Sequence, residues 1–251
     1  MYNYCDILSK MKQKYVLNYS PNFSSKKRIN KKIKFIVIHY TGMKNENKAI
    51  ERLTNNKSKV SCHYFIRENG ETLLMVPENY IAWHAGKSKW KDYSSLNNFS
   101  IGIELQNRGH QHGYRNFKKA QINSLVKLCK KILKKYEVKK QNILGHSDIA
   151  FIRKQDPGEK FPWKLLAKNK IGIWHNLNTA MLKKFRKLKI DNKKETMFFK
   201  YLSKIGYFTF NLNSLQKRRL VTAFQRRYRP ELVNSRIDAE CSIIAKKLSK
   251  Y

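Results

Sequence analysis

KFIVIH, Lys34 to His39, is a β-branched apolar run with no polar interruption. Such a run suits a strand buried on both faces, and the Tyr-Thr-Gly turn that follows stops it, which leaves His39 at a strand end. Working outward, Glu46 to Thr54 reads as a short helix. VSCHYFI (Val60 to Ile66), the turn Glu68-Asn69-Gly70 and ETLLMV (Glu71 to Val76) read as a hairpin, Asn-Gly being a strong turn signal. SIGIELQ (Ser100 to Gln106) alternates, with Ile101, Ile103 and Leu105 on one face and Ser100, Gly102 and Glu104 on the other. Phe117 to Tyr136 carries Ile122, Leu125, Val126, Cys129, Ile132 and Leu133 at helical spacing, a long amphipathic helix. NILGHSD (Asn142 to Asp148) is another short strand running into a polar turn, and DPGEKFPWKLL places a Pro-Gly turn before a helix start at Pro162.

On either side of this region the composition changes. Residues 1–31 are polar and basic and run into SSKKRINKK, the character of an arm laid on the surface or partly mobile. Residues 168–251 carry +16 of the chain's +37 formal charge and read as a separate small helical domain. Its expected helices are Asn176 to Leu188, Lys194 to Ile205 closed by Gly206, Ser214 to Arg227, and Ser235 to Leu248.

The chain has 251 residues, 41% of them hydrophobic, enough for a true core and against a wholly disordered basic protein. There is no apolar run of membrane-spanning length, and the first residues, MYNYCDILSKMKQKYVLNY, break their apolar character with Asp6, Lys10, Lys12 and Lys14, unlike an ordinary signal peptide. Cys5, Cys62, Cys129 and Cys241 stand far apart, as free thiols in a reducing compartment would. The expectation is a cytoplasmic protein, with a periplasmic or wall-associated one as the alternative. An excess of Lys beside much Ile and Asn is as much the mark of an AT-rich coding sequence as of a polyanionic partner. No nucleic-acid motif accompanies it, so a specific nucleic-acid partner is not expected.

His39 and His146, both at strand ends, and Asp156, ten residues after the second, offer two imidazoles and one carboxylate. Zinc takes such donors in a tetrahedron, and a catalytic site uses three of them so that water fills the fourth position.

FIVIHYT, VSCHYFI, IAWHAGKSKW, FSIGIEL and LGHSDIAFIRKQDPGEKFPW, in this order between Ile33 and Leu166, resemble the N-acetylmuramoyl-L-alanine amidases of the AmpD and AmiD type. The resemblance implies an α/β fold, a mixed β-sheet flanked by helices in residues 32–167, with the small C-terminal helical domain appended. It implies zinc as cofactor, held by His39, His146 and Asp156, with Glu104 as catalytic carboxylate and Lys154 as catalytic lysine. The implied reaction is hydrolysis of the amide between N-acetylmuramoyl and L-alanine in peptidoglycan or its turnover fragments. Trp83 and His84 fall in a segment that lines the substrate cleft. Lys59 falls where AmpD-type members often carry an Arg that meets a stem-peptide carboxylate, and His63 on a recurrent histidine that packs or orients the site. A second basic residue of those members is missing from DYSSLNNFS, which leaves open the choice between 1,6-anhydro and ordinary muramyl substrates. KYLSKIGYF, LVTAFQRRYRPELVNSRID and CSIIAKKL resemble the peptidoglycan-binding domain of AmiD-type amidases, with Leu220, Phe224 and Tyr228 as its core. The alternative for this tail is a helical cap that stabilises the catalytic domain; the alternatives for the whole chain are a non-catalytic peptidoglycan-binding protein and, behind it, a basic protein that binds nucleic acid without sequence preference.

Overall fold

The computed structural model describes residues 15–251. Its centre is the pair foreseen from the β-branched runs: β3 (Phe35–Tyr40) and β9 (Ser100–Leu105) lie parallel, in register from Phe35 opposite Ser100 to Tyr40 opposite Leu105. Phe35 to Ile38 are fully buried, as a strand covered on both faces must be. The sheet has six strands in the order β1 (Val16–Leu17), β5 (Thr72–Leu74), β4 (Tyr64–Ile66), β9, β3 and β10 (Ile143–Gly145). The run β4–β9–β3–β10 is all parallel, so the carboxyl ends of these strands share one rim; β5 turns back antiparallel to β4. In sheets of this kind ligand sites form at that rim. Three two-residue strands lie between the hairpin and β9: β6 (Ile81–Ala82), β7 (Lys89–Trp90) and β8 (Tyr93–Ser94).

Helix α1 (Glu46–Thr54) starts at Asn45, whose side chain accepts from Lys48 N. Helix α2 (Lys119–Lys135) buries Ile122, Leu125, Leu128, Cys129 and Ile132 in the sheet's core cluster and leaves its lysines in water. The hairpin turn at Asn69-Gly70 adopts a left-handed backbone at Gly70, and a Cβ there would fall 2.9 Å from the Ala120 carbonyl oxygen. Glycine therefore serves both the turn and the close approach of α2.

NILGHSD ends differently from expectation. After β10 the chain enters a one-turn helix, α3 (His146–Ile149), rather than a polar turn. Asp148 explains it, because its Oδ2 accepts from Gly145 N at 2.7 Å and closes the start of the helix.

The described part of the N-terminal stretch is woven in rather than laid over the surface. β1 adds to the sheet edge beside β5, and β2 (Phe23–Ser24) pairs antiparallel with β6. Ser20, Asn22 and Arg28 are buried, and Arg28 donates to the carbonyls of Glu78 and Asn97. Local polarity gave no sign of these long-range partners. The rest of the stretch, including Cys5, lies outside the described residues; Cys62, Cys129 and Cys241 are buried free thiols.

Downstream, α4 (Trp163–Lys168) precedes four further helices: α5 (Thr179–Phe185), α6 (Asn192–Ile205), α7 (Ser214–Tyr228) and α8 (Ala239–Leu248). Asn178, Asp191, Asn213 and Asp238 cap their starts. Phe198, Leu202, Leu220, Phe224, Ile244 and Leu248 fill the space between them, and this core is continuous with that of the sheet. A buried guanidinium crosses the junction: Arg227 of α7 donates to Asp148 Oδ2 and, at 2.7 Å, to the Ile143 carbonyl, and lies over the Trp163 ring. Tyr207 donates to the other carboxylate oxygen of Asp148 at 2.6 Å.

Candidate active site

β3, β10 and the loop after α3 deliver three side chains to one point on the carboxyl rim. His39 is the fifth residue of β3, His146 opens α3, and Asp156 follows in the loop. His39 Nδ1 lies 3.0 Å from His146 Nδ1, and Asp156 Oδ2 lies 3.1 Å from each of them. All three residues are buried, and among the described residues this is the group of His, Cys, Asp and Glu side chains placed to share a metal ion. Burial, reinforced by the neighbouring His146, lowers the His39 pKa to about 4, which keeps the ring neutral at physiological pH as a ligand must be.

Glu104 lies directly opposite His39 in the β3–β9 register. Register partners on parallel strands project to the same face, so its carboxylate rises beside the three converging donors. Its Oε2 is out of solvent and has no hydrogen-bond partner within the protein. Burial first and the Asp156 charge second push its pKa up to about 8, while Lys154 pulls it down. Lys154 is exposed and lines the same cleft, a hollow of about 550 Å³ that also takes in Glu104, His146 and Asp156. A carboxyl poised near neutrality, a cation and a triangle of donor atoms that could hold a metal ion, gathered in one cleft, suit hydrolysis of a polarised carbonyl compound.

Residues 29–159 match the family of N-acetylmuramoyl-L-alanine amidases. Over 237 residues the chain is 37% identical to the N-acetylmuramoyl-L-alanine amidase AmiD of Escherichia coli, covering 88% of this chain and 84% of that one. The chain belongs to this amidase family. The structure of Escherichia coli AmiD in complex with the substrate anhydro-N-acetylmuramic acid-L-Ala-D-γ-Glu-L-Lys superposes with a TM-score of 0.79 at 34% identity, covering 90% of this chain and 92% of the other. AmpDh3 of Pseudomonas aeruginosa, in complex with anhydromuramic pentapeptide, gives 0.77 at 29% identity over 92% and 96%. A 1,6-anhydro-N-acetylmuramyl-L-alanine amidase, AmpD of Haemophilus influenzae, is 41% identical over 107 residues, which are 42% of this chain and 56% of that one. The family and the mixed-sheet fold inferred from the sequence words are therefore borne out. The chain is an N-acetylmuramoyl-L-alanine amidase, hydrolysing the amide that joins N-acetylmuramoyl to L-alanine.

Around the amidase centre, the expected substrate residues divide. Trp83 lines the cleft, half-buried, its indole donating to Ser24 Oγ at 3.2 Å. His84 is 9% exposed; its ring touches the cleft but is held from behind by His39 and Ser100. His63 is fully buried and outside the cleft lining, so it packs beneath the site. It grips Gly102 twice, donating its backbone N–H to the Gly102 carbonyl and accepting the Gly102 N–H at Nδ1, both at 3.0 Å. Lys59 is exposed on a left-handed backbone and is not part of the lining.

Sequence reading missed the arginines that do line the amidase cleft: Arg52 at the end of α1, Arg108 after β9, and Arg153. It also missed His110, whose Nδ1 is 2.8 Å from the Tyr40 hydroxyl and whose Nε2 is 3.0 Å from Glu159. The signal for that loop was RGHQHG, with glycines at 109 and 113 that both adopt positive φ.

Proposed function

We propose that the amidase is zinc-dependent, with His39, His146 and Asp156 as ligands, Glu104 as general base and Lys154 facing the oxyanion, and that its substrates are peptidoglycan or its turnover fragments. The observation that carries this reading is the triangle of donor atoms. Tetrahedral zinc with bonds of about 2.0–2.1 Å needs its ligand atoms about 3.3 Å apart, and edges of 3.0–3.1 Å come within a small outward adjustment of that. Two nitrogens and one oxygen are the donor types zinc takes in hydrolases, leaving one position open.

Held there, zinc supplies Lewis acidity, acidifying water and polarising the amide carbonyl. The remaining work falls to the chain. Glu104, a lining residue of the cleft whose Oε2 has no hydrogen-bond partner in the protein, accepts the proton of the attacking water and returns it to the departing L-alanine nitrogen. The ammonium of Lys154 balances the charge that grows on the carbonyl oxygen. Arg52, Arg108 and Arg153 give the cleft a cationic wall suited to the carboxylates of a stem peptide, and Trp83 offers an apolar face. The anhydro-muramyl peptides bound in the AmiD and AmpDh3 structures support 1,6-anhydro fragments as substrates.

For residues 168–251 the buried Arg227–Asp148 pair favours the cap reading. This unit completes the core around the strand and helix that carry His146, and any wall affinity is additional to that role.

The test of the zinc reading is to strip metal with a chelator and follow release of the L-alanine-headed peptide from a muropeptide. Release stops and added zinc restores it; full turnover by metal-free protein overturns the reading.

A further inference from the structure

Behind the donor triangle runs a line of hydrogen bonds whose direction can be derived from its far end. The Leu96 carbonyl can only accept, so the Ser100 hydroxyl donates to it, at 2.6 Å. With its proton committed, Ser100 Oγ offers lone pairs to His84 Nε2, 3.2 Å away, and His84 therefore carries its proton on Nε2. A neutral imidazole protonated at Nε2 is bare at Nδ1. That bare nitrogen lies 3.0 Å from His39 Nε2, which must then be the N–H. His39 is left with a free lone pair on Nδ1, the atom that points at His146 and Asp156. A shorter line does the same for the second histidine: His146 Nε2 lies 3.1 Å from the Ala85 carbonyl, which requires an N–H there and leaves Nδ1 bare. Consecutive residues of the AWHAG segment thus face the outer edges of both imidazoles.

We propose that His84 is a positioning residue of the metal centre, its Nδ1 accepting from His39 Nε2–H and so fixing the orientation and tautomer in which His39 Nδ1 faces the metal. This rests on the zinc reading above and gives His84 a duty other than substrate contact. The packing is built for that ring. A Cβ on Gly102 would fall 2.4 Å from His84 Cγ, so only glycine leaves room for it at this point of β9. His63 clamps Gly102 in place through both of its backbone groups. The ring's other neighbours reinforce the seat, the Asn97 side chain accepting the backbone N–H groups of His84 and Ala85 at 3.1 and 2.7 Å. Outer partners of this sort orient a ligand and raise its basicity, and their loss typically weakens metal affinity.

The experiment measures zinc affinity of the full chain by competition with a chromophoric chelator, together with the visible absorption of the cobalt-substituted protein. His84→Leu removes the acceptor while keeping bulk, and zinc binding should weaken by roughly 10–100-fold with a changed cobalt band. In His84→Asn the amide oxygen hangs from Cγ as Nδ1 does, so most of the affinity and the native band should return. Should His84→Leu not fold, Ser100→Ala keeps the imidazole and removes only its anchor, and a weaker zinc site with a shifted band is again expected. Native zinc affinity and cobalt spectrum in folded His84→Leu, or in Ser100→Ala where that variant stands in for it, overturn the proposal. Failure of the unaltered protein to bind zinc overturns the zinc reading as well, which separates the two.

Discussion

His39 and Glu104 are register partners on adjacent parallel strands, β3 and β9. A one-residue slip of either strand would send one of the two side chains to the opposite face of the sheet, so the backbone ladder itself brings the first proposed ligand and the proposed base together. His39, Glu104 and His146 are set in this way, by buried strands or the turn that directly follows one, whereas Asp156 and Lys154 come from the loop after α3.

Glu104→Ala should leave folding and zinc content nearly unchanged and lower the turnover number by roughly 10²-fold or more, the usual contribution of a positioned base. Metal analysis alongside steady-state kinetics on a muropeptide checks it. Loss of zinc, or a rise in KM alone, would refute the assigned role.

Metal-free protein should show a pH dependence traceable to the same residue. The folded-state pKa of Glu104 is raised from 4.5 to about 8, so between these values the folded protein holds a proton that the unfolded chain has released. Glu104 therefore contributes falling stability as pH rises through this window. Denaturant unfolding of metal-free Glu104→Gln, compared with the parent from pH 4.5 to 8, should lack that part of the decline. His39, lowered to about 4, acts in the opposite sense between about 4 and 6.5 in both proteins and cancels in the comparison.

Lys154→Ala should chiefly reduce the turnover number, by roughly 10²-fold, because a cation facing the developing oxyanion matters most in the transition state. Asp156→Ala should instead lose metal. Equal zinc loss in the two variants would make Lys154 a structural partner of the ligand loop.

Arg227→Met should destabilise the whole amidase by about 3–5 kcal/mol, since it leaves the Asp148 carboxylate buried without its cation. Truncation near Lys168 removes Tyr207 as well, and hydrolysis of small soluble muropeptides should collapse with it. Thermal unfolding and activity of both proteins give the answer. A truncated protein that is stable and fully active on small substrates would show that residues 168–251 are a detachable module.

What the sequence determined by itself is what local pattern encodes. Unbroken β-branched runs specify buried strands, as in KFIVIH, and 3.6-residue periodicity specifies helix α2, found at Lys119–Lys135 within the expected Phe117 to Tyr136. The words around His39, Glu104, His146 and Asp156 carried the family. Tertiary structure alone decided the partners. That His84 turns its Nδ1 to His39, that Lys59 stands outside the cleft while Arg52 lines it, that Arg28 packs its guanidinium 2.9 Å from His63, and that Arg227 reaches Asp148 across 79 residues of chain follow from how the layers close. Such contacts join segments with no shared period, and a buried arginine or histidine reads in sequence like any exposed one. Its meaning depends on which opposite charge or lone pair the fold places against it, and that is settled only when both have left water.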